Sequence, residues 1–517
     1  LYYRGDGVLN RKAFCILFIC WISLIFFPPL YGKDIRKVII FQTADIHSHI
    51  FDKKQGWLKI ASLLEKEQVL NAGKEKSLLI DCGDTLTGSA LGRESKGQAG
   101  AIMLNELGYD AWIPGNHDFE LGEKRLIEVC KTLKPDILAA NLEWGEAYVK
   151  PWKIFHKNGV KIAVIGLTSP HLKEWFWGNK MNRFKVIPMM AALDKIIPDV
   201  MKASPHVIIL AVHHGRFSPK RLNGINMSLL AQRFPQIDLI LGAHSHLAVA
   251  GEKIGSKSWY VSSGPHAANL SRVEIQVNLS TGSVDRISSK LLPVTSNIPN
   301  AEYGKELKQF KLMTDKFNSQ VIGKTLNDIK VQDDLSKPSS MHELFGETLK
   351  SASGTHAALH SVLDETIVFS NDKGNAILGR DLFSAVPYDD TICVIHLNKN
   401  ELSEIIYEQL ILRDKKHFQA LSGLTLTVNS LFDRNSWKYK LADGKDWSSD
   451  TRIPVAFSSY ALAGGGGRFP VLKKIAMKKE CKGVNTEIYV SDAMAEYIRK
   501  KSPLKIEIRK WIKSDRF

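Results

Sequence analysis

The sequence predicts an α/β domain, with a largely parallel central sheet and helices on both of its faces, followed by a smaller α+β domain. Three observations lead there. Between about residues 35 and 250, short β-branched runs alternate with amphipathic stretches, the pattern of strands joined by crossover helices. Beyond about residue 340 that alternation stops, and helical stretches give way to scattered strand-like runs and the glycine run 464–467. Between the two, residues 302–321 form a polar amphipathic stretch of helical spacing that reads as a linker.

The elements follow in order. KVIIF (37–41) is the first strand, and LKIASLLEKEQVL (58–70) has apolar residues at helical spacing. SLLID (77–81) is a strand and AGAIMLNELG (99–108) a helix. DAWI (110–113), DILAAN (136–141), KIAVIGL (161–167), HVIILAV (206–212) and DLILG (238–242) continue the series of strands, and residues 271–297 read as edge strands and turns. In the second half, TICVIHL (391–397), LTLTV (424–428) and RIPVAFSS (452–459) are strands. The expected divisions are 1–33 as a signal peptide or N-terminal membrane anchor, 34–298 as the first domain, 299–339 as a linker helix, and 340–517 as the second domain.

At 517 residues and 44% hydrophobic content the chain can build two or three packed cores. Lys and Arg total 70 against 54 for Asp and Glu, a formal charge of +16. That excess favours anionic partners such as phosphate esters. No basic run is interleaved with aromatics, so no nucleic-acid face is indicated. Arg11 and Lys12 precede an apolar segment, Ala13 to Phe27, closed by Pro28 and Pro29. This predicts export, with cleavage near Leu30-Tyr31-Gly32 favoured over a retained anchor. The expected location is periplasmic or extracellular, with the cytoplasmic membrane as a partner only if the segment is kept. No methionine precedes Met103, so Leu1 reads as an alternative start codon. Cys82, Cys130, Cys393 and Cys481 are scattered without C-x-x-C spacing, which supports neither a zinc ribbon nor a disulfide scaffold.

Five strand runs end in Asp, Asn or His. KVIIF leads to Asp45-Ile46-His47, and SLLID to Cys82-Gly83-Asp84. DAWI leads to Gly115-Asn116-His117-Asp118, HVIILAV to His213-His214-Gly215, and DLILG to Ala243-His244-Ser245-His246. Open sheets of this class gather ligands beyond the carboxyl ends of their strands. Taken alone, any one of these histidines is better explained as a hydrogen-bonded core imidazole. Five strand ends together are not. Carboxylates combined with neutral imidazoles suit zinc, manganese or iron, and the number of groups exceeds what one tetrahedral ion takes. Two divalent metals sharing a carboxylate are therefore expected.

These motifs (D-x-H, G-D, G-N-H-[DE], H-x-G and G-x-H-x-H, in this order) resemble the calcineurin-like metallophosphoesterases. With LNELGYDAWIPGNHDFELG and a second domain, the chain is most similar to the bacterial 5′-nucleotidase family. The resemblance runs from about Lys37 to about Arg468 and is sharper in the first half. It implies a metallophosphoesterase sandwich of central β-sheets flanked by helices, and an α+β substrate domain of 5′-nucleotidase type. It also implies hydrolysis of phosphate esters, most of all nucleotides, by in-line attack of a metal-bridging hydroxide on phosphorus. Asp45, His47, Asp84 and His246 would hold one metal, and Asp84, Asn116, His213 and His244 the other. Asp84 would bridge. His117 would meet the phosphate beside Asn116 and stabilise the leaving group. It would be oriented by Glu120, a glutamate where the family usually carries an aspartate. His49 and His214 match no ligand position, and His266 is a weak pocket candidate.

In the second domain the family's N-x-G-G-I-R-like motif is absent from residues 367–390, although the LF-x-x-x-P framework is kept. Tyr460 holds one of the family's two base-stacking positions and Leu421 the other, while Arg380 and Arg468 could supply replacement charge. Alternatives are a 2′,3′-cyclic-nucleotide phosphodiesterase/3′-nucleotidase, another phosphoesterase with a non-nucleotide substrate, and a binding protein on the same fold.

Overall fold

A computed structural model describes residues 34–513, apart from 70–72, 146–147, 179–182, 218–224, 296, 333–337, 363, 365, 372–373, 389, 413–417, 443, 448–450 and 510–511. The expected signal or anchor segment, 1–33, lies outside the described residues. Among them, no helix is long and apolar enough to cross a membrane.

The first half contains two large sheets rather than one, besides a short antiparallel pair of Leu142–Glu143 with Lys185–Val186. The strands are β1 (Ile35–Thr43), β2 (Ser77–Asp81), β3 (Ala111–Trp112), β4 (Asp136–Leu138) and β5 (Val149–Lys150), then β6 (Trp152–Lys157), β7 (Val160–Leu167), β8 (Val207–Val212) and β9 (Leu239–Leu241). They are followed by β10 (Ala248–Ile254), β11 (Ser258–Ser263), β12 (Asn269–Asn278) and β13 (Ser283–Pro293). One sheet has the order β13-β12-β1-β2-β3-β4-β5 and the other β10-β11-β9-β8-β7-β6. The strands β1 to β5 run parallel, as do β7, β8, β9 and β11, with antiparallel strands at the margins. Only β13 of the 271–297 region is an edge; β12 lies between β13 and β1.

The sheets pack face to face, and alternation along each strand shows how. Val38, Ile40, Leu78 and Ile80 from one sheet meet Ile162, Val164, Ile209, Leu239 and Leu241 from the other in a shared core. The intervening residues point outward. Phe41 and Leu79 join a core with helices α1 (Trp57–Lys66) and α2 (Gln98–Glu106). Ile165, Leu210, Val212 and Ile240 join another with α3 (Met189–Lys202) and α4 (Met227–Arg233). Strands buried on both faces read as continuous apolar runs whichever sheet they belong to. For that reason the sequence pattern alone indicated a single sheet.

Helix α5 (Lys308–Ser319) lies within the expected linker, and after it Val321–Lys324 pairs with Ala376–Leu378. Then come α6 (Ser340–Ser353), β14 (Ala357–His360), β15 (Thr391–Leu397), α7 (Lys399–Leu412), β16 (Ala420–Ser422), β17 (Ile453–Ser458), β18 (Val484–Tyr489) and α8 (Val490–Lys501). The sheet order is β16-β14-β17-β15-β18. One face buries Leu359, Ile395, Val455 and Phe457 against α7; the other buries Ala358, Ile392 and Ala456 against α6 and α8.

Candidate active site

The loops after β1, β2, β3, β8 and β9 meet at one end of the sandwich. The first two are joined through their backbones: Asp45 N–H donates to Gly83 O (2.8 Å) and His47 N–H to Asp84 O (2.8 Å). Five of the seven expected ligands take left-handed backbone: Asp45, His47, Asp84, His244 and His246, with φ between 52° and 68°. Non-glycine residues rarely adopt that region, and such strain concentrates where a site needs it. Gly115 is required for the same crowding, since a Cβ there would lie 2.2 Å from Asp84 Oδ1 and 2.6 Å from His213 Cε1.

Asp118, which sequence reasoning left without a role, organises these loops. Its buried carboxylate accepts the backbone N–H groups of Asp84 (2.9 Å), Thr85 (2.9 Å), Leu86 (2.8 Å) and Gly115 (2.7 Å). Asp84 Oδ1 accepts from His117 N–H at 2.7 Å, and Asp84 Oδ2 lies 3.1 Å from His213 Nε2. Asn116 Oδ1 is 3.2 Å from that same nitrogen. His244 N–H donates to both Asp45 oxygens, at 2.9 and 3.0 Å.

Two of the imidazoles are oriented by backbone carbonyls. His213 Nδ1 faces Cys82 O at 2.7 Å and His47 Nδ1 faces Thr87 O at 3.2 Å. Donation from Nδ1 leaves Nε2 with a lone pair directed at the site, the arrangement of a metal-ligating histidine. His47 Nε2 stands 3.2 Å from His246 Nε2.

The charges also call for cations. Asp45, Asp81, Asp84 and Asp118 are all essentially buried, yet among the described residues no lysine or arginine forms an ion pair with any of them. Buried charge needs a partner. Burial pushes Asp45 up to about 8, aided by Asp84 and opposed by His213. His213 is pushed up to about 9 because Asp84 and Asp45 outweigh the cost of its burial. Carboxylate, amide and imidazole donors in this combination fit borderline divalent metals. Groups with ligand atoms within 4.8 Å of one another include Asp84, His213 and His244, and also Asp45, His47 and Asp84.

His117 opens the 3₁₀ turn His117–Leu121, in which residues three apart eclipse. Its Nδ1 lies 2.6 Å from Glu120 Oε1, so the glutamate arm reaches. Burial works against a charge on His117, but Glu120 and Asp84 prevail and push it up to about 10.

The second domain closes over this site. Tyr388 stacks on His117 (centroids 4.9 Å apart, 18° between planes), an aromatic the sequence reasoning missed although it follows the quoted framework directly. Trp175, also missed, meets His244 edge-on at 5.6 Å and stacks on Tyr460 at 5.7 Å and 25°. Its signal was the aromatic cluster WFW at 175–177 in the loop after β7. Arg468 Nη1 donates to Tyr460 Oη at 2.7 Å, and a cavity of about 300 Å³ is lined by Tyr388, Tyr460, Arg468, His360 and Asp364. Arg380, by contrast, is exposed beside Asp381. Leu421 is 1% exposed in the second-domain core, so it faces no ligand and the expected apolar contact is withdrawn. His214 is buried with Nδ1 on Gly215 O (2.5 Å), and His49 Nδ1 faces Asp52 Oδ2 at 2.6 Å. A larger cavity of about 680 Å³, near His206 and Lys257, opens at the opposite strand ends and holds none of these groups.

Residues 39–248 match the family model of the calcineurin-like phosphoesterases. The chain carries a calcineurin-like phosphoesterase domain. All seven expected ligands fall inside the matched residues of this phosphoesterase domain. The chain is 24% identical to protein UshA of Yersinia enterocolitica over 544 aligned residues, covering 93% of this chain and 95% of that one. It is 25% identical to a 2′,3′-cyclic-nucleotide 2′-phosphodiesterase/3′-nucleotidase of Haemophilus influenzae, covering 46% of this chain and 41% of that one. Across several curated relatives the chain spans only about a third to two fifths of their length. The fold is shared with a 5′-nucleotidase structure from Staphylococcus aureus, described as putative, at TM-score 0.74 and 16% identity over 92% of this chain and 99% of that one.

Proposed function

We propose that the protein hydrolyses phosphate esters with two divalent metals, and that its substrates are nucleotides. The observation that supports this best is the meeting of Asp45, His47, Asp84, Asn116, His213, His244 and His246 from five strand ends, with His117 beside them. Asp45, His47, Asp84 and His246 would hold one cation, and Asp84, Asn116, His213 and His244 the other, with Asp84 common to both. Zinc, manganese and iron suit these donors. When bound, the pair supplies positive charge to a phosphoryl group and allows water to ionise near neutral pH.

The chain's own residues do the rest. Asn116 and His117 contact the phosphate. As water adds to phosphorus and the ester P–O bond breaks, the leaving oxygen takes the proton from His117 Nε2. Glu120 keeps Nδ1 engaged and stabilises the imidazolium, so the proton is held at the right nitrogen. Tyr388 covers the imidazole face and excludes water from it. Tyr460, with Trp175 opposite, offers a base two aromatic faces.

In this reading 34–298 carries the chemistry, 340–517 holds the substrate and 299–339 joins them. The apolar segment 13–27 supports a site of action outside the cytoplasm. The likeness to the Haemophilus 2′,3′-cyclic-nucleotide 2′-phosphodiesterase/3′-nucleotidase supports cyclic phosphodiesters as the second substrate class to test. The test is phosphate release from AMP, UMP, 3′-AMP, 2′,3′-cyclic AMP and phenyl phosphate by the full chain loaded with zinc, manganese or iron. No release from any of them with any metal would refute the proposal.

A further inference from the structure

An eighth imidazole stands against the proposed ligands. His266 lies in the turn that carries the chain from β11 in one sheet to β12 in the other. That turn is tightly held. His266 N–H donates to Asp45 O at 2.8 Å, Ala268 N–H to Pro265 O at 3.1 Å, and Asn269 Nδ2 to Ser263 O at 3.0 Å. His266 and Ala267 are both left-handed, with φ of 56° and 53°. Two such residues in succession persist only where their surroundings impose them.

The result of that backbone is a histidine cluster. The His266 ring lies 5.7 Å from His47 and 5.6 Å from His246, and one nitrogen from each of the three falls within 4.8 Å of the others. Among the described residues, no hydrogen bond occupies the His266 ring. Its remaining neighbour is His49, at 4.2 Å, whose own Nδ1 is committed to Asp52. Two imidazoles sharing a tetrahedral ion at about 2.0–2.1 Å place their nitrogens roughly 3.3–3.4 Å apart. The 3.2 Å between His47 Nε2 and His246 Nε2 is close to that spacing.

We propose that His266 is a further ligand of the cation held by His47 and His246. This rests on the two-metal reading above. The site would then offer three imidazoles beside Asp45 and Asp84, whereas the second offers two beside Asp84 and Asn116. Imidazole-rich sets favour zinc and iron, and oxygen-rich sets favour manganese and magnesium. The two sites should therefore differ in metal preference, with the His266 site the more selective for zinc.

Metal binding can be read without any substrate. The full chain, freed of metal, is titrated with zinc and with manganese against a chromophoric chelator, and with cobalt by visible absorption. Removing an outer partner of a metal ligand already costs about 10–100-fold in affinity, so removing a ligand should cost at least about tenfold. His266→Asn, which tolerates the left-handed backbone, and His266→Ala should each lose that much zinc affinity at one site. Manganese affinity should fall less, and the cobalt bands should weaken. If zinc affinity and cobalt spectrum stay unchanged in His266→Asn while His47→Ala loses a metal, the inference is overturned and the two-metal reading stands. If His47→Ala also keeps both metals, the two-metal reading itself fails. An equal loss in His49→Ala would reduce His266 to packing and likewise overturn the inference.

Discussion

Replacing Tyr460 by alanine tests the nucleoside-binding part of the proposal. Its ring and Trp175 stack with centroids 5.7 Å apart, and Trp175 reaches on to His244 in the histidine and aspartate cluster. A base between two aromatic plates needs two layers of about 3.5 Å, hence roughly 7 Å between planes. The 5.7 Å separates the centroids of tilted rings and leaves no room for a third layer, so the plates must part to admit a base, and two contacts resist that opening: Lys473 with Glu174 (2.6 Å), and Gly466 N–H donating to Glu174 O (3.1 Å). Losing one stacking face costs about 1–3 kcal/mol, or roughly 5- to 150-fold. Because the ring lies away from phosphorus, this loss is uniform binding and should appear in KM with kcat unchanged. AMP and UMP should both suffer, and phenyl phosphate should not. Tyr460→Phe separates the ring from its hydroxyl, which accepts from Arg468, and should keep most of the nucleotide affinity. Steady-state kinetics on the three substrates decide the matter. Equal damage to nucleotides and phenyl phosphate would show that Tyr460 supports the fold rather than a base.

Asp84→Asn should lose at least one metal by elemental analysis and all activity, since a neutral amide cannot balance two cations; two retained metals with full turnover would remove it from the bridge. His117→Ala should keep both metals and lose on the order of 10²–10⁴ in kcat, the usual size of a proton donor's contribution; a fall in metal content would place it among the ligands instead. His342 sets an acid limit on stability. It is 2% exposed at the start of α6, with Nδ1 at 2.7 Å from the Ser339 hydroxyl, and burial pushes it down to about 4. The unfolded chain, with a histidine pKa near 6.5, then binds the proton that the folded chain refuses. This contribution is whole above about pH 6.5 and declines towards pH 4, by about 1.4 kcal/mol per unit. Denaturant titrations of His342→Gln should show a shallower loss between pH 6 and 4, and identical slopes would rule the histidine out.

The strands were legible wherever burial is two-sided. SLLID and TICVIHL coincide with β2 and β15, and KVIIF lies inside β1. What periodicity could not show was how many sheets they form. Val164 and Leu79 occupy different sheets and different cores, yet each sits in an unbroken apolar run. The proposed ligands could be picked out because each follows its strand within five residues, so local sequence carries the candidate site. Trp175 and Tyr388 were not, because their contacts arise from approaches across the fold, and His266 was legible only as a weak pocket candidate. Tyr388 meets a histidine 271 positions earlier in the chain, and no local pattern encodes that contact. Leu421 failed for the converse reason. Alignment to a motif placed it beside a ligand, but the core around Phe457 and Trp437 takes that side chain in.

Glu120 shows how a departure from a family's usual residue can be absorbed locally. A glutamate is one methylene longer than an aspartate, and in an α-turn the extra length would displace the imidazole. The segment from His117 is a 3₁₀ turn instead, with i and i+3 side chains eclipsed. The carboxylate therefore meets Nδ1 at 2.6 Å while its other oxygen lies 3.5 Å from the Thr87 hydroxyl. That hydroxyl is itself anchored, donating to His117 O at 2.7 Å, and Thr87 O faces Nδ1 of His47 at 3.2 Å. One threonine thus ties the position of the acid–histidine pair to that of a proposed metal ligand. The longer acid costs the dyad nothing in reach, because the backbone that carries it and the loop that braces it belong to the same closed set of contacts.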